Sequence, residues 1–201
     1  MRRAARLPAD WPLALIALLL TCFGVAMVFS AGQTDVPSFV AGLWKVQSAW
    51  VLLGVGTAWF VTRLTVRMLD AVTVPAYVGA CLLLLLLVFI GKGAGTAAST
   101  KSWLAVGGIR LGQPSELAKV AVVLMLARVL SAARAAPTSL FGLIPSALTV
   151  GVPWLLIMAQ PDLGTGIVFI GIYFAMLFWS GVSGPLLLLA ASPGISQIPV
   201  L

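Results

Sequence analysis

Histidine is absent from this sequence, carboxylates number only five and cysteines only two. Without an imidazole, Ser-His triads, histidine general bases and histidine-held metals have nothing to be built from within these 201 residues. Cys22 and Cys81 each lie inside a hydrophobic run, where a thiol behaves as a small apolar side chain, so no disulfide is expected. Asp, Glu, Lys and Arg together make up 8% of the chain, far below the share a soluble surface carries. A soluble domain is thereby excluded.

What is present is hydrocarbon. The chain is 61% hydrophobic with a mean hydropathy of +1.13, which places it among polytopic membrane proteins. Its net charge of +7 comes from Lys and Arg set singly between apolar runs, so they act as topology signals rather than as a nucleic-acid patch. No nucleic-acid partner is expected. The expected fold is all-α, a polytopic transmembrane helix bundle of about six spans plus a truncated seventh.

The first run, Trp11 to Ala31, follows a basic start at Arg2, Arg3 and Arg6, as a secretory signal would. It exceeds the about 7–15 residues of a signal core and approaches the ~20 that span a bilayer, so it reads as an uncleaved first helix. Five more spans are expected near 46–62, 72–90, 115–134, 142–160 and 163–181 from the length and apolarity of each run. Alternating the loops puts Arg2, Arg3, Arg6, Arg63, Arg67, Arg128 and Arg134 on one side, which the positive-inside rule makes cytoplasmic. Loops 32–45 and 91–114 and the tight turn Gln160-Pro161-Asp162 then face outward.

Pro145 and Pro153 fall in the fifth span and remove backbone donors, so a kink is expected, with the freed carbonyls satisfied by neighbouring helices or water. Gly54, Gly56, Gly166 and Gly171 would let helices approach closely. The tail from Ser183 has an apolar core too short to span, and the residues after Ser192 do not read as a continuing helix.

Three stretches carry chemistry. In Gln113-Pro114-Ser115-Glu116, Pro114 suits the first helical position or Ser115 the cap, and Glu116 complements the helix dipole. Lys119 shares a face with Glu116 and sits about one turn inside an apolar span, where an ammonium either serves a function or snorkels to the interface. Arg128, on the opposite side of that helix, reads as a snorkelling anchor at its cytoplasmic end. Loop 91–114 carries Lys92, Lys101 and Arg110, which suit an anionic headgroup, while Trp103 suits either that site or an interfacial anchor. Asp162, at the turn Gln160-Pro161-Asp162, either caps the next helix or meets Lys119, Arg110 or a ligand. One carboxylate there makes no acid–base pair, so spacing alone gives no glycosyl chemistry.

At these residues the sequence resembles the SEDS family of shape, elongation, division and sporulation proteins, whose members include RodA and FtsW. The matching stretches are Met27-Val28-Phe29-Ser30-Ala31, Lys45-Val46-Gln47, Lys101-Ser102-Trp103-Leu104, Gln113-Pro114-Ser115-Glu116-Leu117-Ala118-Lys119 and Gln160-Pro161-Asp162-Leu163-Gly164-Thr165-Gly166. The last of these leans toward the RodA, rod-shape branch. The resemblance makes 1–181 the N-terminal part of a SEDS-type transmembrane domain and 182–201 a truncated or aberrant tail.

It further implies a peptidoglycan glycosyltransferase that polymerises lipid II, the undecaprenyl diphosphate-linked precursor, for cell-wall elongation and cell shape. The setting would be the bacterial cytoplasmic (inner) membrane, with the N-terminus cytoplasmic and a class B penicillin-binding transpeptidase as partner. Lys101, Trp103, Arg110, Gln113, Glu116, Lys119 and Asp162 would line or support the substrate cavity. No catalytic residue is expected in this chain, because the family's essential aspartate lies in an outer loop between the seventh and eighth spans. Neither cofactor nor metal ligand is assigned. Here Lys101-Ser102-Trp103 stands where many members have Arg directly before Trp, which shifts the cation by one residue. Two other readings stay open: a transporter that moves the lipid precursor across the bilayer, and a non-catalytic membrane partner of a transpeptidase.

Overall fold

The computed structural model describes residues 11–33, 42–91, 102–106, 109–133 and 136–195, with the backbone alone at 104–106, 109–111 and 193–195. Seven α-helices are present among them: α1 (Trp11–Ala31), α2 (Leu43–Val61), α3 (Val66–Ile90), α4 (Pro114–Ala132), α5 (Ile144–Met158), α6 (Leu163–Trp179) and α7 (Gly184–Ile195). Between α3 and α4 lies a two-stranded antiparallel hairpin, β1 (Leu104–Val106) with β2 (Ile109–Gly112). The all-α bundle is as expected, and the hairpin is an addition to it. Among the described residues three helical stretches are long and apolar enough to cross a membrane: Trp11–Ala31, Val66–Ile90 and Phe141–Met158, the last including a 3₁₀ turn before α5.

The chain forms two compact units, 1–64 and 65–201. In the first, α1 packs on α2, and neither helix has a buried residue. Their hydroxyls bond back into their own helices, Thr21 to the Ala17 carbonyl, Ser48 to Trp44 and Thr57 to Leu53. That is how a hydroxyl is satisfied in hydrocarbon, where water is unavailable. Arg63, just past α2, lies over the Trp59 ring at 4.7 Å, a cation–π contact suited to the membrane interface.

The second unit holds the core. Leu84 of α3, Ala118, Val122 and Leu126 of α4, Ile157 of α5 and Phe169 of α6 meet in one buried cluster. A second cluster joins Leu143, Leu177, Val182 and Leu186 at the opposite end of α5 and α6. There α6 ends in a Schellman motif: the Val182 N–H bonds the Leu177 carbonyl at 3.2 Å and the Gly181 N–H bonds Phe178 at 3.1 Å. Gly181 has φ +87°, which a residue with a Cβ adopts at a cost, and Val182 and Leu177 close the motif with their apolar contact.

Several boundaries and packing details differ from the sequence expectation. Helix α3 begins at Val66 rather than near 72, because the Thr65 hydroxyl caps it by accepting from the Met68 N–H at 3.3 Å. Helix α7 runs on through Ser192 to Ile195, past the point where the sequence ended it. Of the four glycines expected at helix contacts, only Gly166 is at one. A Cβ there would overlap the Met158 methyl of α5, whereas Gly54, Gly56 and Gly171 face open space.

Of the two prolines in the fifth span, Pro145 lies in the first turn of α5, where no donor is lost, and only Pro153 interrupts the helix. The carbonyl that Pro153 leaves without its helical donor belongs to Thr149, four residues earlier. It accepts instead from the Tyr77 hydroxyl of α3 at 2.9 Å. The neighbouring helix thus supplies the missing bond, as the sequence led one to expect.

Candidate functional site

Of the candidate residues, Gln113, Glu116, Lys119 and Asp162 lie where α4 begins and α5 turns into α6. The hairpin leads into this region. In the hairpin Ala105 pairs with Arg110 while Leu104 pairs with Gly112. Leu111 is therefore the extra residue of a bulge, and Gly112 takes φ +146°, a conformation that favours glycine. The chain then turns at Gln113 into α4. Pro114 occupies the first helical turn, where its missing N–H is not needed.

Gln113 is the residue preceding α4, yet its side chain makes no cap bond. Its amide reaches across to α6 and donates to Asp162 Oδ2 at 3.0 Å. Asp162 caps α6: Oδ1 accepts from the Thr165 N–H at 3.1 Å, and Oδ2 accepts also from the Thr165 hydroxyl at 2.9 Å. Both oxygens are thus engaged. Among the described residues its partners are Gln113 and Thr165 rather than Lys119, so the carboxylate pins two helix ends together.

Lys119 pairs with Glu116 on its own helix, Nζ to Oε1 at 2.8 Å, with Lys119 25% exposed and Glu116 60% exposed. The two sit three residues apart on one face. Ser102 is buried and Trp103 half-buried beside β1. Arg110 is described through its backbone in β2, and Lys101 lies outside the described residues. The structure therefore unites Gln113 with Asp162 and Glu116 with Lys119, and α4 carries the second pair next to the first.

Three residues take roles that the sequence did not assign to them. Gln160, placed in the turn, is fully buried and donates its amide to the Leu84 carbonyl of α3 at 2.9 Å. The amide tied to α3 lies two residues from the carboxylate tied to α4. Its signal was an amide closing an apolar run. Ser115 is 1% exposed, buried beneath the corner it was expected to cap. At the other end of α4, Arg128 is not a lone anchor: it clasps Asp70 of α3, bonding Oδ1 at 3.1 Å and the carbonyl at 2.9 Å.

Apolar helices long enough to span and a polar junction at one end of a four-helix core define a polytopic helical membrane protein. Within that class, a model of the FtsW, RodA and SpoVE family, described as cell cycle protein, matches residues 10–201, and the chain belongs to that family. A probable peptidoglycan glycosyltransferase FtsW of Geobacter metallireducens is 34% identical over 177 residues, covering 86% of this chain and 46% of the relative. A peptidoglycan glycosyltransferase RodA of Treponema pallidum is 31% identical, covering 86% and 39%. The crystal structure of rod shape determining protein RodA of Thermus thermophilus superposes with a TM-score of 0.74 at 26% identity, covering 96% of this chain and 61% of that one. A chain of a peptidoglycan synthase complex matches with a TM-score of 0.74 at 28% identity, covering 94% and 52%. The chain spans about half the length of the curated relatives it matches.

Proposed function

We propose that this chain is the substrate-gripping half of a peptidoglycan glycosyltransferase of the RodA type, acting on lipid II. The observation that carries the reading is the bond between Gln113 and Asp162, which joins the two stretches on which the family resemblance rests. A diphosphate-linked sugar needs cations and neutral donors held at the membrane surface. Lys119 supplies charge, together with Arg110 and Lys101 of the sequence that precedes α4. Glu116 orients Lys119 before substrate arrives, and Trp103 packs at the headgroup level. Gln113 and Asp162 hold α4 and α6 at the spacing this grip requires.

The setting is the cytoplasmic membrane of a bacterium with the N-terminus inside, so that α1 runs outward and the α3–α4 and α5–α6 connections face the outer leaflet. The excess of Arg on the other side supports that orientation. A class B penicillin-binding transpeptidase is the partner proposed. The supporting precedent is the similarity to a peptidoglycan synthase complex whose work couples polymerisation and crosslinking.

Lipid II binding to the purified chain in nanodiscs tests this. Binding is expected for the wild type and is expected to fall by about tenfold or more in Lys119→Ala, because a hydrogen bond to a charged group contributes about 1.5–3 kcal/mol. Equal binding by both would remove Lys119 from the site, and no binding by either would remove lipid II as its ligand.

A further inference from the structure

Gln160, in the turn between α5 and α6, is a polar side chain with no exposure at all. Taking an amide out of water costs free energy that its bond to the Leu84 carbonyl of α3, at 2.9 Å, only partly offsets. The carbonyl gains little by it. Leu84 lies inside α3, where the Val88 N–H four residues on serves its carbonyl through the helix. An apolar side chain of the same size would sit here without that cost, as Leu84, Ile157 of α5 and Phe169 of α6 do in the neighbouring core. What the amide adds is direction.

Apolar contacts are non-directional, so by themselves they let α5 and α6 slide along α3 with little loss. A hydrogen bond to one chosen carbonyl removes that freedom, as a single buried Asn fixes the register of a coiled coil. Leu84 lies six residues before Ile90, the last of α3, or about 9 Å along its axis. The turn beyond Gln160 is short and tied to itself: the Ile157 carbonyl accepts from the Gln160 N–H at 3.0 Å and from the Asp162 N–H at 3.4 Å. Where the Gln160 amide is held, Asp162 follows. We propose that Gln160 is a positioning residue: by selecting the Leu84 carbonyl it sets the depth of the Asp162 carboxylate along α3, and so brings it level with the Gln113 amide at the start of α4. Its importance for lipid II rests on the function proposed above, whereas the positioning does not.

Gln160→Met in the full chain tests it, because methionine has the length of glutamine, carries no donor and leaves the Leu84 carbonyl its helical bond. In a background with Cys22 and Cys81 replaced by alanine, two cysteine pairs are compared. Gln113→Cys with Asp162→Cys reports the junction, and Asp70→Cys with Arg128→Cys reports the other end of α4, where it also meets α3. Gln160→Met is expected to slow cross-linking at the junction by about fivefold, the factor one net hydrogen bond contributes. The control pair should cross-link as before, and the melting temperature should hold or rise. An unchanged rate at the junction would overturn the proposal. So would an equal loss at both pairs, which is what a core loosened throughout gives. Lipid II binding to Gln160→Met, with no cysteine introduced, separates positioning from grip. Slowed cross-linking with unaltered lipid II affinity leaves Gln160 its positioning role and removes the junction from the lipid II site.

Discussion

The Gln113 amide and the Asp162 carboxylate lie 49 residues apart in sequence and bond at 3.0 Å, making one polar junction out of the start of α4 and the start of α6. Removing either side chain leaves the other without that partner, so the two losses are coupled. Asp162→Ala also removes the α6 cap, a loss of about 0.5–2 kcal/mol. Gln113→Ala and Asp162→Ala together are expected to cost less than their sum by about 0.5–3 kcal/mol. Denaturant unfolding in micelles measures this, and additive losses would mean the bond contributes nothing.

Tyr77 and Pro153 form a second pair with a sign of its own. The Tyr77 hydroxyl occupies the carbonyl that Pro153 leaves free, so Tyr77→Phe should cost about 1–3 kcal/mol. In a Pro153→Ala background the helix supplies its own N–H to Thr149, and the cost of Tyr77→Phe should shrink markedly. Thermal melts of the four proteins decide it. An unchanged cost would show that the hydroxyl serves some other group.

Gly166 and Gly171 should respond in opposite directions to added side-chain bulk. Gly166→Leu forces side-chain bulk into the space held by Met158 and is expected to destabilise by about 1–3 kcal/mol. Gly171→Ala adds a methyl in open space within a helix and is expected to stabilise by about 0.5–1 kcal/mol. The melting temperatures of the two variants check both signs.

Arg128 and Asp70 are both about half exposed, and a pair so placed contributes about 0–1 kcal/mol. Arg128→Ala is expected to leave lipid II binding unchanged, because the clasp lies at the opposite end of α4 from Gln113. A large drop in binding would extend the site through the whole helix.

The helices were legible because run length and apolarity alone determine whether a segment spans, and six expected spans correspond to α1 through α6. The start of α3 was not. Its first turns carry Arg67 and Asp70, which read as loop until Thr65 is seen to cap them and Arg128 to pair with Asp70. Capping by Asp162, Pro114 in the first turn and the Glu116–Lys119 pair follow from local spacing, and each is present. The reach of Gln113 to Asp162 and the burial of Gln160 depend on which helices neighbour each other. Spacing within one segment carries no such information. The glycines show the same limit: Gly166 and Gly171 look alike in sequence, and the α5 side chains Met158 and Trp154 tell them apart.

Whether Gln113 and Asp162 meet at an outward-facing mouth is best measured by cysteine pairs. In a background with Cys22 and Cys81 replaced by alanine, Gln113→Cys with Asp162→Cys should be joined by a short thiol cross-linker. Each single cysteine should react with a membrane-impermeant maleimide added to intact cells whose outer surface has been made accessible. Failure of the cross-link, or labelling that requires the cytoplasm to be opened, would contradict the account.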